Sequence, residues 1–238
     1  MVKNKSKEEV KYSDPTCYNC NSINYCSVGR ASKMLDNCPM KLSPEVEKEA
    51  REIYKNDPEV KKATKIASIV EAQGYIKWPR LKDTVEYAKQ MGYKKLGIAF
   101  CVGLIAEAKR VAEILVKYGF EVTGVCCKTG SLKKTEVGIP EEYTMKSKTG
   151  YTIGWITCNP VAQALLLNKA KTDLNIICGL CVGHDITFTQ QSDAPVTTLI
   201  AKDRSMPHNP SGVLFSHYGR EFFADEFKRL KKQKREKK

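Results

Sequence analysis

Residues 95–127 read KLGIAFCVGLIAEAKRVAEILVKYGFEVTGVCC. The segment begins with an apolar run at 95–101 that predicts a buried strand. Apolar residues then recur at helical spacing over 104–118, and Gly119 marks the end of that helix. A second apolar run at 120–127 predicts another strand. Two strands joined by one helix are expected to be parallel, because a parallel pair needs a crossover connection of this length.

The same alternation continues towards the C-terminus. Asn159-Pro160 begins an apolar helix that extends to about residue 170. Apolar runs at 173–178 and 194–201 predict a third and a fourth strand, and a last helix begins near Gly219. Residues 128–157 form a long connection with little periodicity. The sequence therefore predicts an α/β protein with a small, parallel, doubly wound sheet of about four strands.

The chain before this region predicts two further parts. Residues 1–43 are rich in cysteine and poor in periodic apolar residues, so ligands rather than a core must order them. Helix-start signals follow at Ser43-Pro44-Glu45 and Asp57-Pro58-Glu59, and a third helix is predicted over 79–91. We therefore predict a cysteine-rich metal segment at 1–43, a helical region at 44–92 and an α/β domain at 93–238.

Positive charge is concentrated at the C-terminus. The 238-residue chain has 40 Lys and Arg against 27 Asp and Glu, for a formal net charge of +13. Residues 228–238 hold eight basic residues and one acid, which is more than half of that net charge. A basic tail can bind nucleic acid, but no aromatic residues that could stack on bases are interleaved with these charges. The tail is therefore interpreted as a solvated helix end, and nucleic acid is not an expected partner.

The sequence predicts a cytoplasmic protein with no membrane association. Residues 1–11 are charged and lack the apolar core of a secretory signal. The longest apolar run, residues 96–106, is about half as long as a membrane-spanning helix. The chain has 10 cysteines. In a reducing compartment such cysteines indicate metal ligands or reactive thiols before structural disulfides.

Four cysteines near the N-terminus have the spacing of metal ligands. Cys17, Cys20, Cys26 and Cys38 form the pattern C-x2-C-x5-C-x11-C, and Pro39 follows the last of them. Four thiolates complete a tetrahedral zinc site or hold a 4Fe-4S cluster. The uneven spacing and the terminal Cys-Pro favour the iron–sulfur cluster, because zinc ribbons more often use two matched C-x2-C pairs. The competing interpretation is four thiols without a ligand.

The other six cysteines follow the predicted strands. They are Cys101 after the first strand, Cys126 and Cys127 at the second, Cys158 before a helix start, Cys178 at the third strand and Cys181 in the next loop. The carboxyl ends of parallel strands and the following helix N-termini share one crevice, where α/β proteins bind ligands. We therefore expect these thiols to meet there and to hold a second cofactor. Because cysteine is also a common buried residue, a purely structural role in the core is the competing interpretation.

Four residues of this crevice are candidates for catalysis. A helix N-terminus lowers the pKa of a nearby thiol, which favours Cys158 as a thiolate. Cys178-Gly-Leu-Cys181 is a C-x2-C pair suited to redox cycling or to holding a cluster, and His184 could relay a proton or donate a nitrogen ligand. Because side chains alternate along a regular strand, only one of Cys126 and Cys127 faces the crevice if the strand continues regularly, and we favour Cys127. A bend in the strand would let both face it.

Other motifs carry less information. Asp203-Arg204 and His208 follow the fourth strand and are weaker candidates for the same crevice. Ser216-His217-Tyr218 lacks the strand–Gly-x-Ser-x-Gly–helix context of a hydrolase nucleophile. Gly97 and Gly103 do not complete a G-x-G-x-x-G motif, so nothing indicates a dinucleotide cofactor.

Together these motifs resemble an uncharacterised prokaryotic family of cysteine-rich proteins thought to bind metal, described as a domain of unknown function. The segments that carry the resemblance are Cys17-Tyr-Asn-Cys20, Asn37-Cys-Pro-Met40, Ala99-Phe-Cys-Val-Gly103, Gly124-Val-Cys-Cys-Lys128, Thr157-Cys-Asn-Pro160 and Cys178-Gly-Leu-Cys-Val-Gly-His184. The resemblance covers nearly the full chain. It implies metal binding and a distribution that leans towards anaerobes, and it implies no particular reaction.

A looser resemblance is to the cysteine-rich domain of heterodisulfide reductases. That domain holds an iron–sulfur cluster with a lone Cys, a Cys-Cys-Gly and a C-x2-C. Here Cys101, Cys126-Cys127 and the pair Cys178 and Cys181 follow the same order, but Lys128 replaces the glycine and the spacings differ. The likeness is an analogy between site patterns.

The sequence thus favours an iron–sulfur redox protein with one cluster at the N-terminal cysteines and a second cysteine-rich site at the sheet. Its expected partners are a redox protein or a small sulfur-containing substrate. The first alternative is a thiol or persulfide enzyme with a structural zinc site. The second alternative is a zinc-containing module that binds nucleic acid or a protein partner. The pattern of residues makes no prediction about oligomeric state.

Overall fold

The computed structural model describes residues 17–18, 20, 26–29, 35–147 and 150–236. The chain divides into two compact units, Met1–Lys65 and Ile66–Lys238. The division into three parts that the sequence predicts is not tested by this boundary and stays a prediction.

Short and long helices occupy the first part of the described chain. They are α1 (Pro39–Leu42), α2 (Pro44–Asn56), α3 (Pro58–Gly74) and α4 (Arg80–Met91). The Asp57 carboxylate accepts hydrogen bonds from the backbone N–H groups of Glu59 and Val60 at 2.9 and 3.0 Å, so it caps the start of α3. Gly92 ends α4 with a φ of 86°, a left-handed conformation that favours glycine.

Four parallel strands form one sheet. They are β1 (Lys95–Phe100), β2 (Glu121–Cys126), β3 (Leu174–Cys178) and β4 (Val196–Ile200), in the order β2-β1-β3-β4. The predicted α/β class with a four-stranded parallel sheet is confirmed. The chain winds outward from β1 to β2 and then crosses to β3 and β4. The strand order therefore reverses between β1 and β3, which is where open α/β sheets bind ligands.

The remaining helices connect and follow the strands. They are α5 (Ile105–Lys117), α6 (Pro160–Lys169), α7 (His184–Gln191), α8 (Gly212–Phe215) and α9 (His217–Glu236), with 3₁₀ turns at Val102–Leu104, Thr129–Ser131, Lys134–Val137 and Glu141–Tyr143. No helix within residues 35–147 and 150–236 combines the length and apolar character that crossing a membrane requires.

Helix α7 is absent from the sequence prediction. Its residues, HDITFTQQ, include β-branched Ile and Thr and show no apolar stripe, so local propensity does not favour a helix. Phe188 is fully buried in the core, and α7 packs against α6. Tertiary packing therefore makes this segment helical. The last helix also begins earlier than predicted, at His217 rather than near Gly219.

The core lies on both faces of the central strands. Leu96 and Ile98 of β1 and Ile176 of β3 are almost completely buried. Asn175 is also fully buried, and it accepts a hydrogen bond from the Thr172 hydroxyl and donates one to Ser192, each at 2.8 Å.

This buried amide explains one glycine of β1. Gly97 lies opposite Asn175 in register, and a Cβ at Gly97 would come within 2.0 Å of the Asn175 Oδ1. Gly97 is therefore needed for close packing of two strands rather than for a cofactor.

The basic tail continues α9. Lys228 pairs with Asp225 at 2.9 Å and Arg229 pairs with Glu226 at 2.6 Å, both within the same helix. Lys228, Arg229 and Asp225 are exposed and Glu226 is partly exposed, which agrees with a solvated helix end. Nucleic-acid binding by the tail is not tested by this geometry.

Candidate functional site

The carboxyl ends of the central strands bring distant cysteines to one edge of the sheet. Cys101 directly follows β1, and its backbone N–H donates to the Cys178 carbonyl at 3.2 Å. Cys127 directly follows β2, and its N–H donates to the Phe100 carbonyl at 2.8 Å. Asn159 N–H in turn donates to the Cys127 carbonyl at 2.7 Å, which ties the start of α6 to the same edge. The parallel topology thus brings Cys101, Cys127 and Cys178 to the carboxyl edge of the sheet.

Cys127 and Cys126 have different surroundings. The Cys127 side chain is fully buried, and its Sγ accepts a hydrogen bond from the Val102 N–H at 3.3 Å. Cys126 is in register with Phe100, so the two side chains lie on the same face of the sheet, and Phe100 lies beside Ile105 of α5. Cys127 therefore lies beside the other thiols. Among the described residues, Cys126 contacts none of them.

Four cysteines form a chain of hydrogen bonds, which we call the thiol relay: Cys101, Cys127, Cys158 and Cys181. The Cys101 thiol donates to Cys127, and the Cys127 thiol donates to Cys158. The Cys158 thiol donates to Cys181, so the direction of donation is the same throughout. The relay ends at Cys181, the acceptor of the last hydrogen bond.

Cys181 is held as a thiolate by two donors. The hydrogen bond from Cys158 and the positive charge of Arg204 lower the pKa of Cys181 to about 6, against the opposing effect of burial. Arg204 Nη2 lies 2.9 Å from the Cys181 Sγ, a short charge-assisted hydrogen bond. Cys181 is therefore mostly ionised at neutral pH, and an ionised thiol is the nucleophilic form.

Three other thiols at this edge keep their protons. The hydrogen bond to Cys127, together with burial, raises the pKa of Cys101 well above its usual range. The hydrogen bond from Cys101 lowers the pKa of Cys127, but donation to Cys158 and burial outweigh it and the net shift is upward. Burial raises the pKa of Cys178 to about 11. The C-x2-C pair of Cys178 and Cys181 therefore combines one protonated thiol with one thiolate.

His184 begins α7 and belongs to the same group. Its backbone N–H donates to the Cys181 carbonyl at 3.0 Å, which fixes the loop between them. Its ring donates a hydrogen bond to Cys158, and this contact raises the pKa of His184 although burial opposes it. The ring Nδ1 is buried without a hydrogen-bond partner among the described residues. His184 is thus placed to exchange a proton with Cys158.

The turn after β4 positions Arg204. The Asp203 carboxylate accepts from the Ser205 N–H and hydroxyl and from the Met206 N–H, all at 2.8–2.9 Å, and the Asp203 N–H donates to His208 Nδ1 at 3.2 Å. Of the weaker candidates, Asp203 and His208 therefore build the turn, and Arg204 contacts a thiol.

Sequence reasoning missed two lysines near this site. Lys202 follows β4 by two positions, and its charge acts on Cys101 and Cys178. Lys128 follows Cys127, and its Nζ donates to the Ile156 carbonyl at 2.7 Å. Both lie just beyond the carboxyl ends of strands, so their positions in the sequence could have revealed them.

The four N-terminal cysteines are spread over a part of the chain that the structure describes incompletely. Cys17 and Cys26 are exposed, whereas Cys20 and Cys38 are partly buried. The Cys20 N–H donates to the Cys17 carbonyl at 3.1 Å, and the Cys38 carbonyl accepts from the first turn of α1. In the whole described part of the chain, no three His, Cys, Asp or Glu side chains lie where one metal ion could bind them together. The metal site at these cysteines stays a prediction.

A cavity lies at the other edge of the sheet, where the strands begin. It has a volume of about 550 Å³ and is bordered by Leu174 and Val196, the first residues of β3 and β4, and by Trp78 and Tyr87. Among the described residues, no cysteine lines it. The candidate site is therefore identified by its chemistry rather than by the size of a cavity.

Comparisons with known proteins agree with the sequence-based resemblance. A family model described as a protein of unknown function, DUF1847, matches residues 38–199. An uncharacterized protein of Methanocaldococcus jannaschii is 40% identical over 202 residues, which cover 85% of this chain and 94% of the relative. The match to the family model includes Cys38, all six cysteines near the sheet and His184, and it ends before Arg204. The predicted membership of an uncharacterised prokaryotic family is confirmed, and the chain belongs to the DUF1847 family of proteins of unknown function.

Proposed function

We propose that this protein performs thiol chemistry on a sulfur-containing substrate, with Cys181 as the attacking thiolate and Cys158 as the resolving thiol. The observation that carries the proposal is the position of Cys181, which accepts hydrogen bonds from both Cys158 and Arg204. A thiolate that is ionised at neutral pH and has a second thiol in contact is the arrangement that disulfide exchange requires.

The reaction with a disulfide R–S–S–R′ has two steps. The Cys181 thiolate attacks one sulfur, a Cys181–S–S–R bond forms, and R′–S⁻ leaves and takes a proton from water. Cys158 then attacks the Cys181 sulfur, which forms a Cys158–Cys181 disulfide and releases R–S⁻. The proton that Cys158 gives up passes through His184 to the departing thiolate. The substrate is reduced by two electrons, the protein dithiol is oxidised, and an external thiol or dithiol reductant restores it.

Cys158 suits the resolving role better than Cys178 does. Cys158 is partly exposed and in hydrogen-bond contact with Cys181 and His184. Cys178 is fully buried, and its raised pKa keeps it protonated. A buried neutral thiol is a poor nucleophile. Cys178 and Cys181 would therefore form a disulfide with each other only if the loop that joins them moved.

Trapping of the first intermediate tests these roles. Incubation of Cys158→Ser protein with hydroxyethyl disulfide should accumulate a mixed disulfide at Cys181, which mass spectrometry of peptides identifies. The intact protein should instead accumulate the Cys158–Cys181 disulfide. Cys126→Ser serves as the matched control, because Cys126 lies on the other face of the sheet, and it should behave like the intact protein. A mixed disulfide at another cysteine in Cys158→Ser protein would refute the assignment.

A metal centre is the second candidate, and the N-terminal spacing favours it. Four thiolates at Cys17, Cys20, Cys26 and Cys38 are a suitable donor set for an iron–sulfur cluster, which would carry single electrons, or for zinc, which would order the segment. The side chains as arranged do not converge on one metal position. The thiols near the sheet likewise donate to one another in sequence instead of facing a common centre. We therefore assign no step of the thiol chemistry to a metal.

Metal analysis tests this second candidate separately. The protein should be purified without oxygen, and iron, acid-labile sulfide and zinc should be measured per chain. A 4Fe-4S cluster predicts iron and sulfide in equal amounts, lost in Cys20→Ser protein and retained in Cys126→Ser protein. Zinc without sulfide would indicate the structural alternative. The absence of both metals from the intact protein would count against an N-terminal metal site.

A further inference from the structure

Two cationic side chains flank the thiol relay. Lys202 and Arg204 are separated by one residue in the chain that leaves β4, so both reach the carboxyl edge of the sheet. The Arg204 guanidinium contacts the Cys181 Sγ at 2.9 Å. The Lys202 Nζ lies 3.6 Å from the position that a Cβ would occupy at Gly103, and the Cys101 Sγ lies 4.0 Å from the same position. The two cations thus border the relay near its two ends.

The charges of these two residues are not balanced by carboxylates. Within residues 35–147 and 150–236, no Asp or Glu forms an ion pair with Lys202 or Arg204. The nearby Cys101 and Cys178 thiols stay protonated, so they do not neutralise Lys202. Glu107 of α5 acts electrostatically on Cys178, but it is exposed and not paired with Lys202.

Carboxylates elsewhere near the site are already engaged. Asp185 at the start of α7 accepts hydrogen bonds from the Gly183 and Ile186 N–H groups at 3.0 and 2.8 Å. Asp203 is occupied within its own turn. Lys128 adds a further positive charge whose effect reaches His184. The hydrogen bonds leave the charges of Asp185 and Asp203 in place, but neither carboxylate forms an ion pair with Lys202 or Arg204.

The proposed reaction removes the negative charge that Arg204 faces. When Cys181 attacks a disulfide, its negative charge moves to the leaving thiolate, and Arg204 loses its partner. A guanidinium has five N–H donors arranged to bind planar oxyanions, and one contact to Cys181 leaves most of them available. Fixed cations at the point where charge develops stabilise the transition state.

We propose that the substrate of this site is a small disulfide or persulfide that carries an anionic group, such as a carboxylate, close to its reacting sulfur, and that Lys202 and Arg204 bind that group. This inference rests on the thiol chemistry proposed for Cys181. It adds the chemical class of the substrate and a specificity role for Lys202.

Three alkyl disulfides of similar size provide the test. Dithiodipropionate is anionic, hydroxyethyl disulfide is neutral and cystamine is cationic. The rate of Cys181 oxidation is measured with each by acid quench, alkylation and mass spectrometry at neutral pH. Each rate is divided by the rate of mercaptoethanol with the same disulfide, which removes intrinsic differences among the probes.

The anionic disulfide should be preferred over the neutral one by about tenfold or more, and cystamine should be slowest. Added salt should reduce the preference, because it screens the cations. Lys202→Gln should lower the preference by about tenfold, which corresponds to about 1.4 kcal/mol. Lys94→Gln removes the same charge at the opposite edge of the sheet and should retain the preference.

Failure of this inference differs from failure of the proposed function. If Cys181 reacts with all three disulfides but shows no preference for the anionic one, or if Lys202→Gln and Lys94→Gln behave alike, the substrate class is wrong and the thiol chemistry stands. If none of the three disulfides oxidises Cys181, the thiol chemistry itself is wrong. The salt dependence of the intact protein gives the same information without a variant.

Discussion

Replacement of Arg204 by Gln should raise the pKa of Cys181 from about 6 to about 7. Two unit charges about 4 Å apart interact by about 1 kcal/mol in water and about 4 kcal/mol at an effective dielectric constant of 20. Arg204 is exposed and screened by solvent, so the lower end of this range applies. Since one pKa unit corresponds to about 1.4 kcal/mol, the expected shift is about one unit. The hydrogen bond from Cys158 remains and accounts for the rest of the lowering.

The assay is the pH dependence of the reaction of Cys181 with neutral hydroxyethyl disulfide. Near pH 6 the ionised fraction should fall from about one half to about one tenth, while the remaining thiolate is about threefold more nucleophilic, so Arg204→Gln protein should react about twofold more slowly. Above about pH 9 both proteins are ionised, and the variant should react about threefold faster, because a thiolate of higher pKa is the stronger nucleophile. This crossing of the two profiles separates an electrostatic effect from general loss of structure.

Arg110→Gln is the matched control, because Arg110 lies on the surface of α5 and pairs with Glu113 at 3.2 Å. Its profile should coincide with that of the intact protein. The reasoning is refuted if Arg204→Gln leaves the midpoint of the profile unchanged, or if it slows the reaction equally at every pH.

Three further predictions concern stability, measured as the free energy of unfolding in urea. Gly97→Ala should destabilise by about 2–4 kcal/mol, because the new Cβ would lie 2.0 Å from the buried Asn175 Oδ1. Gly124→Ala in β2, whose Cβ would meet its nearest neighbour at 3.6 Å, should change stability much less, and equal effects would contradict this account. Stability should fall as the pH rises above about 9, because Cys178 keeps its proton in the folded state to about pH 11 while the unfolded chain ionises. In Cys178→Ser protein, stability should fall less steeply with pH. If stability falls as steeply in the variant as in the intact protein, groups other than Cys178 cause the decline. Asp57→Ala should lower the free energy of unfolding by about 1 kcal/mol, because it removes the side chain that caps α3. Asp57→Asn should keep most of the stability, because the Asn side-chain oxygen can accept the same hydrogen bonds.

Sequence patterns were sufficient for the regular elements of the α/β region. The apolar runs and the helical spacing over residues 95–127 correspond to β1, α5 and β2, because buried strands and amphipathic helices have distinct periods. The order of strands and helices also implied that cysteines after different strands would meet at one edge. Helix α7 could not be found in this way, because burial of Phe188 outweighs the weak helix propensity of its residues.

The roles of individual thiols required the tertiary structure. The sequence predicts Cys158 as a thiolate because it precedes a helix, and that assignment stays a prediction. The lowered pKa of Cys181 depends on a thiol donor and on the Arg204 guanidinium, which only the packed chain brings together.

The amino-acid order alone thus established the fold class and the edge of the sheet where the cysteines gather, since both follow from local periodicity and from the rule that parallel strands share a carboxyl edge. The charge on each sulfur depends on burial and on donors that come from other strands, such as Arg204 after β4 for Cys181 after β3. Such long-range neighbours leave no local pattern, so only the packed chain reveals them.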